Sequence, residues 1–173
     1  MAKLVMTAIG PDRTGLVDEL TGVIHDRQAN IADSRMVNLH GQFAVILLLE
    51  VEQDCVEAMR RDMPALGQQI GLSISIAPSR PAVSRGGGVP YRLRTYAMDQ
   101  PGIVHRITHL LHEREINIEE LQTNLQPGSV TGTPLFTMHL RMTVPMSVSL
   151  PILRRDLELL CDALNCDIDL APE

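Results

Sequence analysis

The sequence predicts an α+β protein made of two successive copies of one strand–helix–strand–strand–helix–strand unit. Residues 4–31 align on residues 91–118 at a shift of 87 positions without a gap, and eight of the 28 pairs are identical. In both copies apolar residues first recur at every second position, as in a strand, and then every three or four residues, as in a helix. Glycine and proline are concentrated in residues 79–89. This composition predicts a linker between a first domain, residues 1–78, and a second domain, residues 90–173.

The first copy opens with a predicted strand over Lys3–Gly10, where apolar side chains alternate between the two faces. A helix follows, because apolar residues recur at helical spacing from Leu16 to Ile24. Pro64 is expected to break the second helix or to open another short one. The remaining predicted elements are strands Asn30–His40 and Gln42–Glu52 around a turn, a helix capped by Asp54, and a strand Leu72–Ala77.

The second copy repeats this order, with Pro151 in the first turn of its second helix. It carries seven extra residues, mostly within Gln126–Pro134, a composition typical of a longer loop. The element order is that of the ferredoxin-like unit, in which both helices cover one face of a four-stranded antiparallel sheet. The fold class is therefore two ferredoxin-like domains in tandem.

One strand differs in character between the copies. Phe43–Leu49 is apolar on both faces, whereas Leu135–Val144 alternates. The alternation places four polar side chains together on one face: Thr137, His139, Arg141 and Thr143. An antiparallel strand with two apolar faces needs cover on both sides. Either the second copy or a second chain, as in a homodimer, can supply that cover, and the sequence leaves both open.

Composition excludes several classes of function. The chain of 173 residues has a formal net charge of −6, and aromatic residues make up only 2%. The acidic balance argues against direct binding to a phosphate backbone, which needs a basic face, and the few aromatic residues argue against a stacking platform for single strands. The longest apolar run, Phe43–Leu49, is far shorter than a membrane span. Three cysteines form no disulfide framework, so we expect a cytoplasmic protein.

Neither catalysis nor a metal or cofactor site is expected. His105, His109 and His112 share one helix face without a carboxylate or cysteine in a metal-binding motif, and Cys161 falls on an apolar stripe. Asp33, Ser34 and His40 are close in sequence, but one strand does not bring them into the geometry of a catalytic triad. The glycines of residues 86–88 lack the strand and helix of a phosphate-binding loop.

The two copies share a strand–helix junction that could bind a small zwitterion. Asp12 and Gly15 in the first copy correspond to Asp99 and Gly102 in the second. A helix N-terminus attracts a carboxylate, and an aspartate can pair with an ammonium group. Asn30 and Asn117, at the start of the next strand, offer both a donor and an acceptor. Structural roles remain open for the same residues: the aspartates as helix caps, the asparagines as helix stops, and the glycines in turns.

The run Gly10-Pro11-Asp12-Arg13-x-Gly15-Leu16, then a helix and Asn30-Ile31, resembles the ACT domain family. The resemblance implies ligand sites where the strand–helix loop of one unit faces another unit. In the first copy it implies Asp12, Arg13, Thr14, Gly15, Leu16, Asn30 and Ile31. In the second copy it implies Asp99, Gly102, Ile103, Asn117 and Ile118. Thr14 stands where the family has proline and Gln100 where it has arginine, which favours the first copy as the ligand site.

Two ACT units without a catalytic segment resemble the ACT regulators of glycine-cleavage genes. This resemblance implies a non-enzymatic sensor of a small amino acid, with glycine as the first candidate. Because the chain is acidic and has no DNA-reading motif, we expect it to act through a partner transcription factor. An allosteric regulatory subunit of a metabolic enzyme and a ligand-free dimerisation module are the alternatives.

Overall fold

A computed structural model describes residues 1–80, 87–127 and 134–173. The chain divides into two compact units, residues 1–82 and 83–173. Residues 81–86 of the predicted linker and 128–133 of the predicted long loop lie outside the described residues. The next strand already begins at Gly88, inside the segment predicted as linker.

The first unit follows the predicted order of elements. Its elements are β1 (Ala2–Pro11), α1 (Leu16–Asp26), β2 (Asn30–Leu39), β3 (Gln42–Val51), α2 (Val56–Gln69) and β4 (Ser73–Pro78). The strands form one antiparallel sheet in the order β2-β3-β1-β4.

The second unit repeats this topology. Its elements are β5 (Gly88–Met98), α3 (Ile103–Glu113), β6 (Asn117–Pro127), β7 (Pro134–Pro145), α4 (Leu150–Ala163) and β8 (Cys166–Pro172). The sheet order is β6-β7-β5-β8, again antiparallel throughout. Pro151 lies in the first turn of α4, as predicted. The prediction of two ferredoxin-like units in tandem is confirmed.

Each unit buries its core between the two helices and one face of its sheet. In the first unit Leu20 of α1 and Met63 of α2 are buried with alternate residues of β3, such as Leu47. The second unit packs Ile107 and Leu157 in the same way. An ion pair joins the two helices of each unit: Arg27 with Asp62, and Arg114 with Asp156.

Two predictions about α2 are wrong. Pro64 lies inside the helix, which continues to Gln69. Proline removes one backbone hydrogen bond, but Met59 and Met63 before it and Gly67 after it remain buried on one face, so packing holds the helix together. Asp54 does not cap α2, because a 3₁₀ turn over Gln53–Cys55 precedes the helix and no side chain caps it.

The open face of each sheet, away from the helices, differs between the units. β3 directs Phe43, Val45, Leu47 and Leu49 into the core. Its opposite face presents Ile46, which is 47% exposed, between β1 and β2. Ile9 and Val37 lie on either side of Ala44, two residues before Ile46, and are 54% and 51% exposed. We call Ile9, Val37 and Ile46 the apolar patch; the corresponding face of the second unit carries charged residues.

Candidate functional site

The first candidate site is the loop between β1 and α1. Gly15 precedes the helix with φ of +87°, in the left-handed region that glycine adopts most readily. Leu16 follows and is buried, which anchors the start of the helix in the core. The first N–H groups of α1 have no acceptor within the helix, and that of Leu16 donates to the carbonyl oxygen of Arg13 in the loop at 3.4 Å. Thr14 is exposed beside them.

Arg13 closes this loop by pairing with Glu19 in the first turn of α1. Two guanidinium nitrogens lie 2.6 Å from the two carboxylate oxygens, a bidentate arrangement. The hydrogen bonds from Arg13 lower the pKa of Glu19 below its ordinary value. A further bond of 3.2 Å runs from Arg13 to the carbonyl oxygen of Ile70, after α2. The cation that the resemblance assigned to a ligand is therefore engaged within the chain.

The same loop lies against the connection between α2 and β4. A Cβ atom at Gly10 would stand 2.4 Å from the carbonyl oxygen of Gly71, a distance that no side chain tolerates. Gly71 itself has φ of +82°. Only glycine at position 10 permits this approach of the two backbones.

Asp12 is held by the turn between β2 and β3. Asn38 donates a side-chain hydrogen bond to its carboxylate, and the Asp12 amide donates to the carbonyl oxygen of Gly41 at 2.8 Å. Gly15, not Asp12, occupies the cap position of α1, and no side-chain hydrogen bond caps the helix. The cap interpretation of Asp12 is therefore wrong. Asn38 was missed because it lies 26 residues along the chain.

The second loop, between β5 and α3, has the same backbone but different charges. Gly102 has φ of +100°, and Ile103 is buried like Leu16. Gln100 stands at the position of Arg13 and donates a hydrogen bond to the carbonyl oxygen of Leu164, after α4. This hydrogen bond is equivalent to the one between Arg13 and Ile70 in the first unit, but Gln100 carries no charge.

Arg106 occupies the position of Glu19 in this second loop. Within the described part of the chain it makes no side-chain hydrogen bond or ion pair, and neither does Asp99. Asp99 lacks the partner of Asp12 because Leu125 stands where the first unit has Asn38. The second loop therefore offers one exposed cation and one exposed anion beside a helix N-terminus.

Asn30 and Asn117 do not lie beside these loops within their own units. Asn30 pairs with Glu50 at one end of β3, whereas the loop joins the sheet near Phe43 at the other end. The second unit repeats this separation. Ile31 and Ile118 are half-buried and pack against the two cores.

The helix-stop interpretation of the two asparagines is also wrong. The left-handed residues that end the helices are Gln28 and Glu115, both with φ of +56°. Asn30 and Asn117 instead begin strands β2 and β6. A register shift follows both asparagines, between Ile31 and Asp33 and at the same place in β6.

Other candidate groups give no site in the described residues. No group of three or more histidine, cysteine, aspartate or glutamate side chains is arranged to hold a metal ion in residues 1–80, 87–127 and 134–173. His105 and His109 are exposed on α3, with ring centroids 5.8 Å apart. Burial raises the pKa of the Cys161 thiol far above its ordinary value. Among the described helices, none combines the length and apolar character needed to cross a bilayer.

Comparisons with known proteins cover both units. The family model of the ACT domain matches residues 2–77. The chain is 28% identical over 168 residues to the glycine cleavage system transcriptional repressor of Escherichia coli (strain K12), covering 94% of this chain and 85% of that protein. It is 30% identical over 78 residues to the UPF0237 protein MMP0657 of Methanococcus maripaludis, covering 44% of this chain and 87% of the relative.

Similarity in structure extends over the whole chain. A solved structure of an unknown protein from Galdieria sulphuraria matches with a TM-score of 0.81 at 28% identity, covering 99% of this chain and 98% of that one. The similarity to the repressor and to this structure therefore includes both units, whereas the archaeal relative corresponds to about one.

Proposed function

Because the chain belongs to the ACT domain family through residues 2–77 and repeats that fold once, we propose that it is a non-enzymatic, amino-acid-sensing regulator of glycine cleavage. The observation that carries the proposal is its similarity to the glycine cleavage system transcriptional repressor over 94% of the chain. Glycine is the proposed ligand, and a transcription factor the proposed partner. We further propose that it acts in the cytoplasm.

The charges of the second loop suit a zwitterionic ligand. The ligand carboxylate would accept hydrogen bonds from the first N–H groups of α3 and pair with Arg106, while Asp99 would hold the ammonium group. The first turn of α3 contains no acidic residue that would repel the carboxylate. Gly102 has no side chain, so a ligand as small as glycine could approach the backbone closely there.

The first loop is less available to such a ligand. Asp18 and Glu19 place two acids in the first turn of α1, and Arg13 is already bound to Glu19. Asp12 is likewise bound to Asn38. A carboxylate would have to displace Glu19 from Arg13 before it could bind. We therefore propose the second loop as the responsive site, reversing the preference that the sequence alone suggested.

The partner contact is proposed on the apolar patch of the first unit. Large exposed apolar side chains grouped on one sheet face are typical of protein contacts. The formal charge of −6 disfavours direct binding to a phosphate backbone. The patch supports action through another protein.

A thermal-shift screen against the twenty amino acids, followed by calorimetry, tests the sensing function. A ligand at about 100 times its Kd adds roughly 2.7 kcal/mol of stability, which raises the melting temperature by several degrees. We expect glycine to produce this shift, and Asp99→Asn or Arg106→Gln to remove it. Arg155→Gln, which changes an exposed cation on α4, serves as the control. A wild-type protein that responds to no amino acid would contradict sensing.

A capture experiment tests the partner. The purified chain is immobilised and exposed to cell extract with and without glycine, and retained proteins are identified by mass spectrometry. We expect a transcription factor whose retention depends on glycine. Recovery of a metabolic enzyme instead, or tight salt-dependent DNA binding by the purified chain, would contradict the proposed route of action.

A further inference from the structure

The open face of the second sheet carries four basic side chains in a square on its two central strands. Arg94 of β5 lies directly opposite His139 of β7, and Arg92 lies opposite Arg141. Directly paired residues of antiparallel strands share one face, so all four point away from the helices. We call these four residues the basic square. They line a cavity of about 260 Å³ together with Gln122 and two acidic residues, Glu120 and Glu173.

The fold does not require this arrangement. In the first unit the corresponding cross-strand pairs are Thr7 with Ile46 and Val5 with Leu48. The same sheet therefore forms there without any basic residue at the four positions. Like charges placed directly opposite each other destabilise a sheet. The pair of Arg92 and Arg141 at the centre of the second sheet thus lowers its stability unless acidic groups compensate the two charges.

Acidic residues at the edge of the square engage only part of it. Glu173 pairs with Arg92 at 3.0 Å, and Glu119 and Glu120 lie 3.4 and 3.9 Å from Arg141. The buried Nε of Arg141 nevertheless makes no hydrogen bond within the described residues. The carboxylates of Glu119 and Glu120 therefore compensate the charge of Arg141, but neither accepts a hydrogen bond from its Nε.

Arg94 and His139 remain unengaged. In the part of the chain that the structure describes, neither side chain forms a hydrogen bond or an ion pair. Asp169 of β8 lies opposite Arg94 in register, yet the two form no ion pair within 4.0 Å. One side of the cavity therefore presents donors that have no acceptor among the residues that the structure describes.

We propose that the basic square binds a small oxyanion, with Arg94 and His139 as its principal donors and Gln122 as a further one. The ligand chemistry is that of a phosphate group or a dicarboxylate, since both present several acceptor oxygens within the reach of two neighbouring strands. This site lies on the sheet and not in the strand–helix loop, so it does not depend on the proposed amino-acid response.

Calorimetric titration of the full chain with inorganic phosphate and with succinate, at constant ionic strength, tests the proposal. Constant ionic strength is needed because screening alone changes the stability of a charged face. Saturable binding of either anion, absent with chloride, supports the site and identifies which chemistry it prefers. We expect Arg94→Gln and His139→Gln each to weaken binding about tenfold.

Two further variants separate a built site from a general charge effect. Glu120→Gln should strengthen binding about threefold, because it removes an acid that competes for Arg141. Arg155→Gln removes one positive charge from the helix layer of the same unit and should leave binding within about twofold. Equal weakening by Arg155→Gln and Arg94→Gln would overturn the proposal, as would the absence of saturable binding in the wild-type chain.

The glycine response gives an independent readout. Arg94→Gln should retain it in full, so loss of anion binding and loss of amino-acid sensing are distinguishable. Binding of an acidic peptide, with neither small anion bound, would also overturn the proposal and assign this face to a protein contact.

Discussion

Arg13 donates two hydrogen bonds of 2.6 Å to Glu19, and in the second unit the residues at these two positions are Gln100 and Arg106. The paired cation and anion are thus replaced by a neutral side chain and an exposed cation. The backbone of the loop is the same in both units, with a left-handed glycine before the helix. One fold therefore carries a neutralised loop and a charged one, and this difference can be tested directly.

Replacing Glu19 by glutamine should release Arg13 and give the first loop a response to glycine. The freed guanidinium could then pair with a ligand carboxylate, as we propose for Arg106 in the second loop. Calorimetry measures the number of glycine molecules bound per chain, which we expect to rise from one to two. Asp18→Asn removes a neighbouring acid without releasing Arg13 and should leave the number at one. An unchanged number in both variants would contradict the inhibitory role of Glu19.

Gly15→Ala and Gly102→Ala should each destabilise the protein by about 1–2 kcal/mol, because both positions have positive φ. Gly22→Ala is the matched control within α1, where no atom outside the helix lies within 4 Å of an added Cβ. It should stabilise the protein by about 1 kcal/mol. Urea unfolding measures all three. Equal effects at Gly15 and Gly22 would show that backbone conformation is not the cause.

Acid should weaken the folded state partly through Asp156. Hydrogen bonds from Arg114, and more weakly from Arg155, lower the pKa of Asp156 in the folded protein. Its stabilising contribution is complete above the unfolded pKa of about 3.9 and is lost as pH falls through the lower folded value. Arg114→Gln should therefore reduce stability at pH 7, and its effect should shrink as pH falls through the lowered pKa of Asp156. Urea unfolding at a series of pH values measures the difference, and a pH-independent effect would argue against this ion pair.

Thiol labelling should distinguish the three cysteines. Cys161 and Cys166 are buried, and burial raises the pKa of both thiols, so their thiolate forms are suppressed. The pKa of the Cys55 thiol is also raised, by burial and by Asp54, but Cys55 is only half-buried, so we expect the reagent to reach it. A colorimetric disulfide reagent at pH 8 should label one thiol per native chain and three in denaturant. Cys55→Ser should abolish the native reaction, and labelling of two or more thiols without denaturant would contradict the burial of the pair.

Ile46→Asp should abolish partner capture without unfolding the chain, because Ile46 is the member of the apolar patch that β3 exposes on the open face. Leu159→Asp is the control, since Leu159 is 61% exposed on α4, a helix of the second unit. Sedimentation of both variants shows whether the patch binds a second copy instead. A drop from dimer to monomer with Ile46→Asp would assign the patch to self-association.

The periodicity of the sequence predicted the order of elements because each element is specified by local apolar spacing. The continuity of α2 through Pro64 was not predicted, since it depends on packing of Met59, Met63 and Gly67 that only the tertiary fold provides. The loop residues were identified by the repeat. Their partners were not, because Asn38 and Ile70 reach the first loop from distant parts of the chain.

The position of Asn30 relative to the loop could not be predicted either, because it also depends on the tertiary fold. Helical spacing predicts where α1 ends only to within a few residues, and Gln28, a residue without a strong preference for positive φ, occupies the stop position. The sheet topology decides at which end of the sheet β2 begins. The sequence could therefore place Asn30 after the helix, but not at the opposite end of the sheet from Asp12.

The approach of Gly10 to Gly71 gives the two loops different stiffness. In the first unit the end of β1 presses directly on the backbone that follows α2, and Arg13 ties the loop to the same connection. The second unit has Ala97 in place of Gly10, and a Cβ atom at Gly10 would collide with the carbonyl oxygen of Gly71, so we expect a looser approach there. A ligand at the first loop would have to move the end of α2 as well. In the second unit the Gln100 side chain supplies the tether to the connection after α4, so we expect that loop to yield more readily than the first.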